Sequence, residues 1–323
     1  MDDLKPNSKN LKLFDAHNHI QDERLFPGLE KVMERARLAG VVKMAIKGCH
    51  EGDWPRVIQI LERSRQKNLK QNDSNQPKKK NRFIHSHFVK IYPAFGLHPW
   101  FIDGRSNQWF QVLEELLTSY PQASVGEIGI DHVVENRDDA DQERVFLAQL
   151  EIARKFDRPV SIHCRRAWGR LIELLDQFGE LPRGMLIHCF GGSAEVATEL
   201  VRRGAYISFS GSITRPNNKK AGPAIRAVPN DRILIETDAP DILPFDVDEA
   251  SSLVVHAPPV DRAAVTRLEA SSTLLNEPAN LRHVLAKAAE LRGVSKEFLA
   301  LITFGNAERF FNFEAHGRGA HAM

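Results

Sequence analysis

The sequence predicts an α/β protein with a single (β/α)₈ TIM barrel, and three observations favour this fold. Eight short apolar runs alternate with longer segments of helical periodicity. The 323 residues suit one barrel of roughly 250 residues with additions, although about two ordinary domains would also fit. A doubly wound sheet, the competing fold, would need a glycine-rich phosphate turn after the first strand, and none is present.

The predicted strands are short and apolar, and helix-like segments separate most of them. Strands that alternate with helices form right-handed βαβ units, so we expect all eight to lie in one parallel sheet. The predicted strands are residues 11–15, 41–47, 89–96, 123–127, 159–163, 184–189, 205–210 and 233–237.

Three helices are predicted most clearly between these strands. Residues 143–156 carry a broad apolar stripe at helical spacing, and residues 171–178 and 194–203 repeat the pattern. Gly40 and Gly204 stand where helix C-caps are expected, directly before a strand.

Two segments interrupt the alternation within a predicted barrel domain of residues 11–313. Residues 63–85 form a predicted polar surface insertion, with a lysine-rich run at 71–80. Residues 239–280 form a long loop after the eighth strand. Loops in this position line the active-site face of a barrel, so we expect this one to shape the substrate pocket. The tail, 314–323, is predicted to be flexible.

Composition narrows the class of protein. Hydrophobic residues make up 42% and charged residues 27%, which excludes a disordered, collagen-like or coiled-coil chain. The net charge of +2 excludes binding of nucleic acid by bulk positive charge, but it permits one local site. No apolar run approaches about 18 residues, so no membrane span is expected. Three cysteines favour a reducing compartment, and we expect the cytoplasm, with the nucleus as the alternative. No obligate protein partner is evident.

Metal-binding residue types stand at the ends of five predicted strands. His17 and His19 lie two residues apart in an extended segment, so their imidazoles should point to the same side. The remaining candidates are Glu127, His163, His188 and Asp238. The C-terminal ends of barrel strands meet at one rim, so these side chains should meet there. Six ligands are too many for one tetrahedral zinc ion and suit two divalent ions that share a carboxylate.

Two cysteines follow predicted ligands directly. Because side chains alternate along a strand, the sulfurs of Cys164 and Cys189 should point away from the metals into the helix layer, as small apolar core residues. They would be soft metal ligands only if their strands ended one residue earlier.

Eight motifs follow one another along the chain. They are DAHNH at 15–19, GLHPW at 96–100, GEIGID at 126–131, IHCR at 162–165, HCFGG at 188–192, ETDAP at 236–240, NEP at 276–278 and NAERF at 306–310. With these motifs, the sequence from Phe14 to about Phe311 resembles the TatD-related metal-dependent deoxyribonucleases of the amidohydrolase superfamily.

The resemblance implies a metal-dependent hydrolase with two divalent ions, which could be zinc, manganese or magnesium. The implied ligands are His17, His19 and Asp238 for one ion, His163 and His188 for the other, and Glu127 as the bridge between them. The implied reaction is hydrolysis of DNA phosphodiester bonds, as a 3′–5′ exonuclease, by a hydroxide that the two metals activate.

Further residues receive roles under this hypothesis. Asp238 could accept the proton of the attacking water, His98 could donate a hydrogen bond to a phosphate oxygen, and Arg165 could pair with phosphate. Trp100 could stack on a base, and Arg215 lies in a basic loop, 212–220, on the active-site face. A helix-capping His98, a surface salt bridge of Arg165 and an aromatic plug at the barrel mouth remain the simpler alternatives.

Two other functions stay open. The same centre could hydrolyse a different ester or an amide, such as an aminoacyl-tRNA ester or a small cyclic substrate, because fold alone does not fix function. A catalytically silent binding protein would predict a broken ligand set, whereas all six candidate ligands are present.

Overall fold

The computed structural model describes residues 11–72, 89–245 and 274–313. Eight parallel strands stand side by side in chain order. They are β1 (Leu13–Asn18), β2 (Val41–Lys47), β3 (Lys90–Phe95), β4 (Ser124–Asp131), β5 (Val160–Arg165), β6 (Met185–Ile187), β7 (Tyr206–Phe209) and β8 (Ile233–Ile235). The barrel closes where the His19 N–H donates to Ala239 O at 2.7 Å and the Asp238 N–H donates to His17 O at 3.0 Å. The predicted (β/α)₈ barrel is confirmed.

Helices follow most of the strands and cover the outside of the barrel. They are α1 (Leu29–Leu38), α2 (Trp54–Asn72), α3 (Trp109–Ser119), α4 (Asp139–Phe156), α5 (Trp168–Phe178), α6 (Ala194–Arg202), α7 (Ala221–Ala227), α8 (Leu281–Arg292) and α9 (Lys296–Phe311). The start of α4 precedes the predicted one because its first turn is acidic and lies outside the apolar stripe. The Asp138 carboxylate caps that turn by accepting from the Asp141 N–H at 3.0 Å. Among the described residues, none of these helices is long and apolar enough to cross a bilayer.

Several strand ends differ from the predicted ones, and the backbone gives the reason. Strands β6 and β8 stop at Ile187 and Ile235, before the histidine and acidic residues that follow them. Just beyond, Cys189 has a φ of +42° and Asp238 a φ of +57°, so the chain leaves the extended conformation there. Strand β4 instead continues to Asp131. Part of the predicted ligand set therefore stands on turns above the sheet.

An aromatic cluster closes the lower end of the barrel. Phe14 of β1 stacks on Phe311 of α9 with ring centroids 5.4 Å apart, and Tyr206 of β7 packs on Phe310 at 5.3 Å. A second and larger core lies between the outside of the sheet and the helices. Since α9 covers the floor, a ligand would enter the barrel from the opposite end, the C-terminal rim.

The predicted insertion, loop and tail lie partly outside the described residues. Helix α2 runs to Asn72, so the first part of the 63–85 segment continues a helix. Residues 73–88, 246–273 and 314–323 are not described, and the insertion and tail remain predictions there. The two ends of the long loop are joined, because the Asn276 side-chain amide donates to Thr237 O at 2.8 Å and to Asp241 O at 2.9 Å.

The attachment of α9 to the barrel rests on Asn306, whose amide donates to Asn230 O at 2.8 Å and to Ile233 O at 2.7 Å. We expect Asn306→Ala to lower the free energy of unfolding by about 1–3 kcal/mol, because the buried Ile233 carbonyl and the part-buried Asn230 carbonyl each lose a donor. Urea denaturation measures the change. The control is Leu301→Ala on the same helix, where the side chain is 73% exposed and the expected change is within about 0.5 kcal/mol. Equal stabilities of the two variants would contradict this role.

Candidate metal centre

The six predicted metal ligands all lie together at the C-terminal rim of the barrel. They are His17 on β1, His19 just after it, Glu127 on β4, His163 on β5, His188 just after β6 and Asp238 just after β8. The four histidines reach the carboxylate of Glu127, and Asp238 reaches its neighbour His19. The separations of 2.7–3.4 Å between these nitrogen and oxygen atoms leave room between them only for shared protons or a cation.

One oxygen of Glu127 faces the residues from β1. Its Oε2 lies 3.1 Å from His17 Nε2 and 3.2 Å from His19 Nε2. Asp238 completes this side, with Oδ1 at 3.4 Å from His19 Nε2 and 3.9 Å from His17 Nε2. We call His17, His19 and Asp238 the first ligand group.

The other oxygen of Glu127 faces the residues from β5 and β6. Its Oε1 lies 3.0 Å from His163 Nδ1 and 2.7 Å from His188 Nε2. We call His163 and His188 the second ligand group. A carboxylate that presents one oxygen to each group has the arrangement expected of a bridging ligand.

Glycines around Glu127 allow β4 and β5 to approach closely at this point. Gly129 has a φ of +148°, and a Cβ added there would lie 2.0 Å from His163 O. Only glycine fits such a position without moving the neighbouring strand. The Glu127 N–H donates to Gly48 O at 3.1 Å, which ties the bridging residue to the end of β2 as well.

Three of the four histidines in the ligand groups have a protein oxygen beside their outward nitrogen; it accepts a hydrogen bond from His19 and from His163, and it lies at ion-pair distance from His188. His19 Nδ1 lies 2.8 Å from Lys47 O, His163 Nε2 lies 2.9 Å from Asp131 Oδ2, and His188 Nδ1 lies 3.3 Å from Glu236 Oε1. An imidazole that donates its outward N–H keeps the lone pair of the inner nitrogen for a metal. The ring of His17 instead stacks on that of His188 at 3.9 Å.

His98 also reaches Glu127 but is oriented the other way. Its Nε2 lies 3.2 Å from Glu127 Oε1, while its Nδ1 accepts from the Trp100 backbone N–H at 3.1 Å. Burial lowers the pKa of His98 to about 4, so the imidazole is neutral near pH 7 and its one proton sits on Nε2. His98 therefore presents an N–H to the centre and not a lone pair, which makes it a hydrogen-bond donor.

The charges in the cluster are mutually dependent. Burial opposes ionisation of Glu127, but the charge of His188 and the hydrogen bond from His163 outweigh burial and hold the pKa of this carboxyl well below its usual range. Burial likewise disfavours the charged form of His188, yet Glu127 raises the pKa of that imidazole well above its usual value. The pKa of His163 is raised too, because hydrogen bonds to Asp131 and Glu127 outweigh its burial. Without a cation, protons supply the positive charge that these carboxylates attract.

The donor set fits a divalent metal ion. Groups of three candidate ligand atoms lie within 4.8 Å of one another, among them those of His17, His19 and Asp238. Imidazole nitrogens and carboxylate oxygens are ligands that zinc and related ions accept, and the histidines that donate outward have the second partners such sites require.

Several residues of the centre were not predicted. Asp131 and Glu236 orient histidines, and both stand at or beyond a strand end, four residues after Glu127 and two before Asp238. The sequence signal that could have identified them was their position in the strand-end motifs GEIGID and ETDAP. Lys47 is a fully buried lysine whose Nζ lies 4.4 Å from the Phe311 ring centroid, below the centre. Cys49, just beyond β2, also approaches the first ligand group.

One cysteine prediction is confirmed and one is wrong. Cys164 packs in the core between the sheet and the helices. Cys189 does not, since β6 has already ended and strand alternation no longer applies. Its N–H donates to Glu236 Oε1 at 2.5 Å, and its Sγ lies 2.9 Å from Ser210 Oγ, on the side of the centre.

The candidate substrate-binding residues lie around the mouth. Trp100 is 40% exposed, and its Nε1 donates to Asp131 Oδ2 at 2.7 Å. The Arg165 guanidinium lies 5.8 Å from the Trp100 ring centroid and 3.9 Å from Asp131 Oδ2. Arg215 is exposed on the segment after β7. Glu277 has no part in the centre, because it is buried against Arg35 at 2.7 Å.

Comparison with known proteins gives a consistent result. The profile of a family described as "TatD related DNase" matches residues 14–312. A Bacillus subtilis protein named "Uncharacterized metal-dependent hydrolase YabD" is 29% identical over 299 residues, covering 93% of this chain and 98% of that protein. A Citrobacter koseri protein named "3'-5' ssDNA/RNA exonuclease TatD" is 28% identical over 307 residues, with coverage of 93% and 98%. The crystal structure of YjjV, a TatD homolog from Escherichia coli, has a TM-score of 0.75 and 25% identity and covers 94% of this chain and 99% of that one.

The raised pKa values of His163 and His188 predict that metal binding releases protons. Both imidazoles keep their proton to a higher pH than a free histidine does, and both must be neutral to bind a metal, so metal affinity should fall as the pH is lowered. Calorimetric titration of metal-free protein with Zn²⁺ in two buffers of different ionisation enthalpy measures the number of protons.

The matched variants for this test are His188→Gln, which should reduce the number of protons released, and His98→Gln, which should leave it unchanged because His98 is already neutral. Identical heats in both buffers for the unaltered protein would contradict the charge state assigned to the cluster.

Proposed function

The chain belongs to the TatD-related DNase family, and on that premise we propose that this metal-dependent hydrolase cleaves phosphodiester bonds of DNA from the 3′ end. The observation that carries the proposal is the position of Glu127 between two ligand groups. The relative from Citrobacter koseri is named as a 3'-5' ssDNA/RNA exonuclease, which supports single strands as the preferred form.

The centre would hold two divalent ions, with zinc, manganese and magnesium as the candidate metals. His17, His19 and Asp238 would bind the first ion, the second ligand group would bind the other, and Glu127 would bind both. When bound, the ions would supply Lewis-acid stabilisation of the charge on phosphate and would make a nearby water more acidic. The inward nitrogens of His19 and His163 support this assignment, since the outward nitrogen of each has its own hydrogen-bond acceptor, and Glu236 Oε1 lies 3.3 Å from the outward nitrogen of His188.

Asp238 is suited to accept the proton of the attacking water. Burial disfavours its charge, but a hydrogen bond from His19 and the charge of His188 hold the pKa of Asp238 well below its usual range, so it is ionised. Its backbone is fixed by the hydrogen bond from its own N–H to His17 O at 3.0 Å. A held carboxylate next to the reacting atoms is the arrangement that general-base catalysis requires.

His98 would donate its Nε2 proton to a non-bridging oxygen of the scissile phosphate. The Trp100 N–H fixes the ring by occupying Nδ1, and the low pKa keeps the ring neutral. A neutral donor that is already oriented stabilises developing negative charge without a reorganisation cost.

The mouth of the barrel offers a cation and an aromatic surface side by side. The side chain of Arg165 is 34% exposed, and Trp100 and Phe101 are each 40% exposed. Arg165 would pair with a phosphate next to the scissile bond, Trp100 would stack on a base, and Arg215 would contact the strand further along. Phe190, by contrast, is buried against Trp168 and offers no such surface.

We expect Glu127→Gln and Asp238→Asn to lower the rate of nucleotide release by about 10²–10⁴-fold, because each neutral amide loses the charge that the centre requires. The assay compares 3′-labelled with 5′-labelled oligonucleotides, single-stranded and duplex, with each divalent ion in turn. The matched control is Glu135→Gln, an exposed carboxylate in the loop after β4 that should leave the rate unchanged.

Equal and negligible release by the unaltered protein and by Glu127→Gln, with every ion, would refute the nuclease. In that case the same preparations, tested on aminoacyl-tRNA and lactones, would decide whether the centre hydrolyses another ester.

We expect Arg165→Ala to raise KM for single-stranded DNA by about 10–100-fold with a smaller change in kcat, because it removes a charged hydrogen bond to substrate. The control is Arg202→Ala on α6, where the side chain is 68% exposed and pairs with Glu199. An unchanged KM would mean that Arg165 only supports Asp131.

A further inference from the structure

A thiol lies beside the first ligand group, although no ligand role was predicted for it. Cys49 Sγ lies 3.5 Å from His19 Nδ1 and 3.9 Å from Glu127 Oε2. Its sulfur, a nitrogen of His19 and an oxygen of Glu127 form a set in which all three atoms lie within 4.8 Å of one another. Of these two distances, the one to Glu127 Oε2 joins the sulfur to a metal-facing atom, whereas His19 Nδ1 is the outward nitrogen that bonds Lys47 O.

The backbone around Cys49 is held in place by the residues of the centre. The Cys49 N–H donates to both carboxylate oxygens of Asp53 at 3.1 Å, and its carbonyl accepts from the His98 N–H at 2.8 Å. The preceding carbonyl, that of Gly48, accepts from the Glu127 N–H at 3.1 Å. The turn after β2 is thus hydrogen-bonded to Glu127 and to His98, which is proposed to donate a hydrogen bond to phosphate. The thiol therefore has a defined position.

The distance from the sulfur to Glu127 is close to that between two ligands of one metal ion. Cys49 would be a fifth protein ligand of this ion. With a zinc–sulfur distance of about 2.3 Å and a zinc–oxygen distance of about 2.0 Å, two ligands at angles of about 90–120° stand roughly 3.0–3.7 Å apart. The separation of 3.9 Å between Cys49 Sγ and Glu127 Oε2 is a few tenths of an ångström beyond the upper end of this range. Side-chain rotation at Cβ can supply such a change.

We propose that Cys49 is a thiolate ligand of the ion held by His17, His19 and Asp238, and that it makes this position selective for thiophilic metals. The inference rests on the metal centre of the proposed function. On binding, the sulfur–metal bond forms as the S–H bond breaks; the proton passes to solvent and no atom is oxidised or reduced. A coordinated thiol is deprotonated by the cation itself.

The chemical consequence is a change in metal preference. Without Cys49, the first ion has only imidazole and carboxylate ligands, which zinc, manganese and magnesium can all share. A sulfur ligand favours zinc and cobalt over magnesium and manganese, which prefer oxygen. Cys49 would thus decide which ion occupies one half of the centre.

The other two cysteines serve as controls. Cys189 lies near the centre, but its Sγ lies 2.9 Å from Ser210 Oγ. Cys164 is buried in the core. Changing either of them to serine removes one thiol, as Cys49→Ser does, but leaves the proposed ligand in place.

The test is the absorption spectrum of metal-free protein titrated with Co²⁺. A cobalt–thiolate bond gives a charge-transfer band in the near ultraviolet, and the visible ligand-field bands report cobalt bound by any ligand. We expect the near-ultraviolet band in the unaltered protein, in Cys189→Ser and in Cys164→Ser, and its loss in Cys49→Ser. The ratio of Zn²⁺ affinity to Mn²⁺ affinity should fall about 10–100-fold in Cys49→Ser.

The outcomes separate the two proposals. Ligand-field bands without a near-ultraviolet band, or a band that survives in Cys49→Ser, would overturn the role of Cys49 and leave the metal centre intact. Absence of all cobalt bands would overturn the metal centre and the role of Cys49 together. Circular dichroism of Cys49→Ser, matching that of the unaltered protein, excludes misfolding as the cause of a lost band.

Discussion

The structure of the rim depends on one buried carboxylate, that of Glu127, surrounded by imidazoles. A buried anion is stable only with positive charge and hydrogen bonds around it. Residues from β1, β4, β5 and the turn after β6 therefore have to meet at this point, and the two oxygens of Glu127 divide them into two groups. The close approach of β4 and β5 at Gly129 is the steric condition that makes the meeting possible.

The surroundings of the histidines distinguish the proposed metal ligands from the proposed hydrogen-bond donor, although all of them reach the same carboxylate. An outward acceptor stands behind His19, His163 and His188, and a backbone N–H stands behind His98. Backbone and carboxylate groups of the outer layer thus assign opposite chemical roles to one residue type. The geometry of the centre depends on these contacts to the outward nitrogens as much as on the side chains that would face the metal.

The sequence predicts the barrel and the six ligands because both depend on a simple periodic rule: apolar runs form strands, and the ends of parallel strands meet. It could not predict where a strand stops being extended. Cys189 was misplaced because strand alternation was carried past Ile187, where the backbone turns to positive φ. The orientation of His98 was also out of reach, since it depends on the N–H of Trp100 and on burial. Arg165 and Trp100 were predicted at the mouth because each stands two residues after a histidine of a strand-end motif.

The floor of the barrel has a consequence for the order in which the protein can become active during synthesis. Phe14 near the start of the described chain is covered by Phe311 near its end, and His17 is joined to Asp238 across the closing seam. A ribosome delivers these pairs far apart in time, and nascent chains fold from the N-terminal side. A partly made chain can therefore hold the second ligand group while it still lacks Asp238 and the floor. Hydrolytic competence arrives only with the last strand and helix, so the unfinished chain is an inactive one.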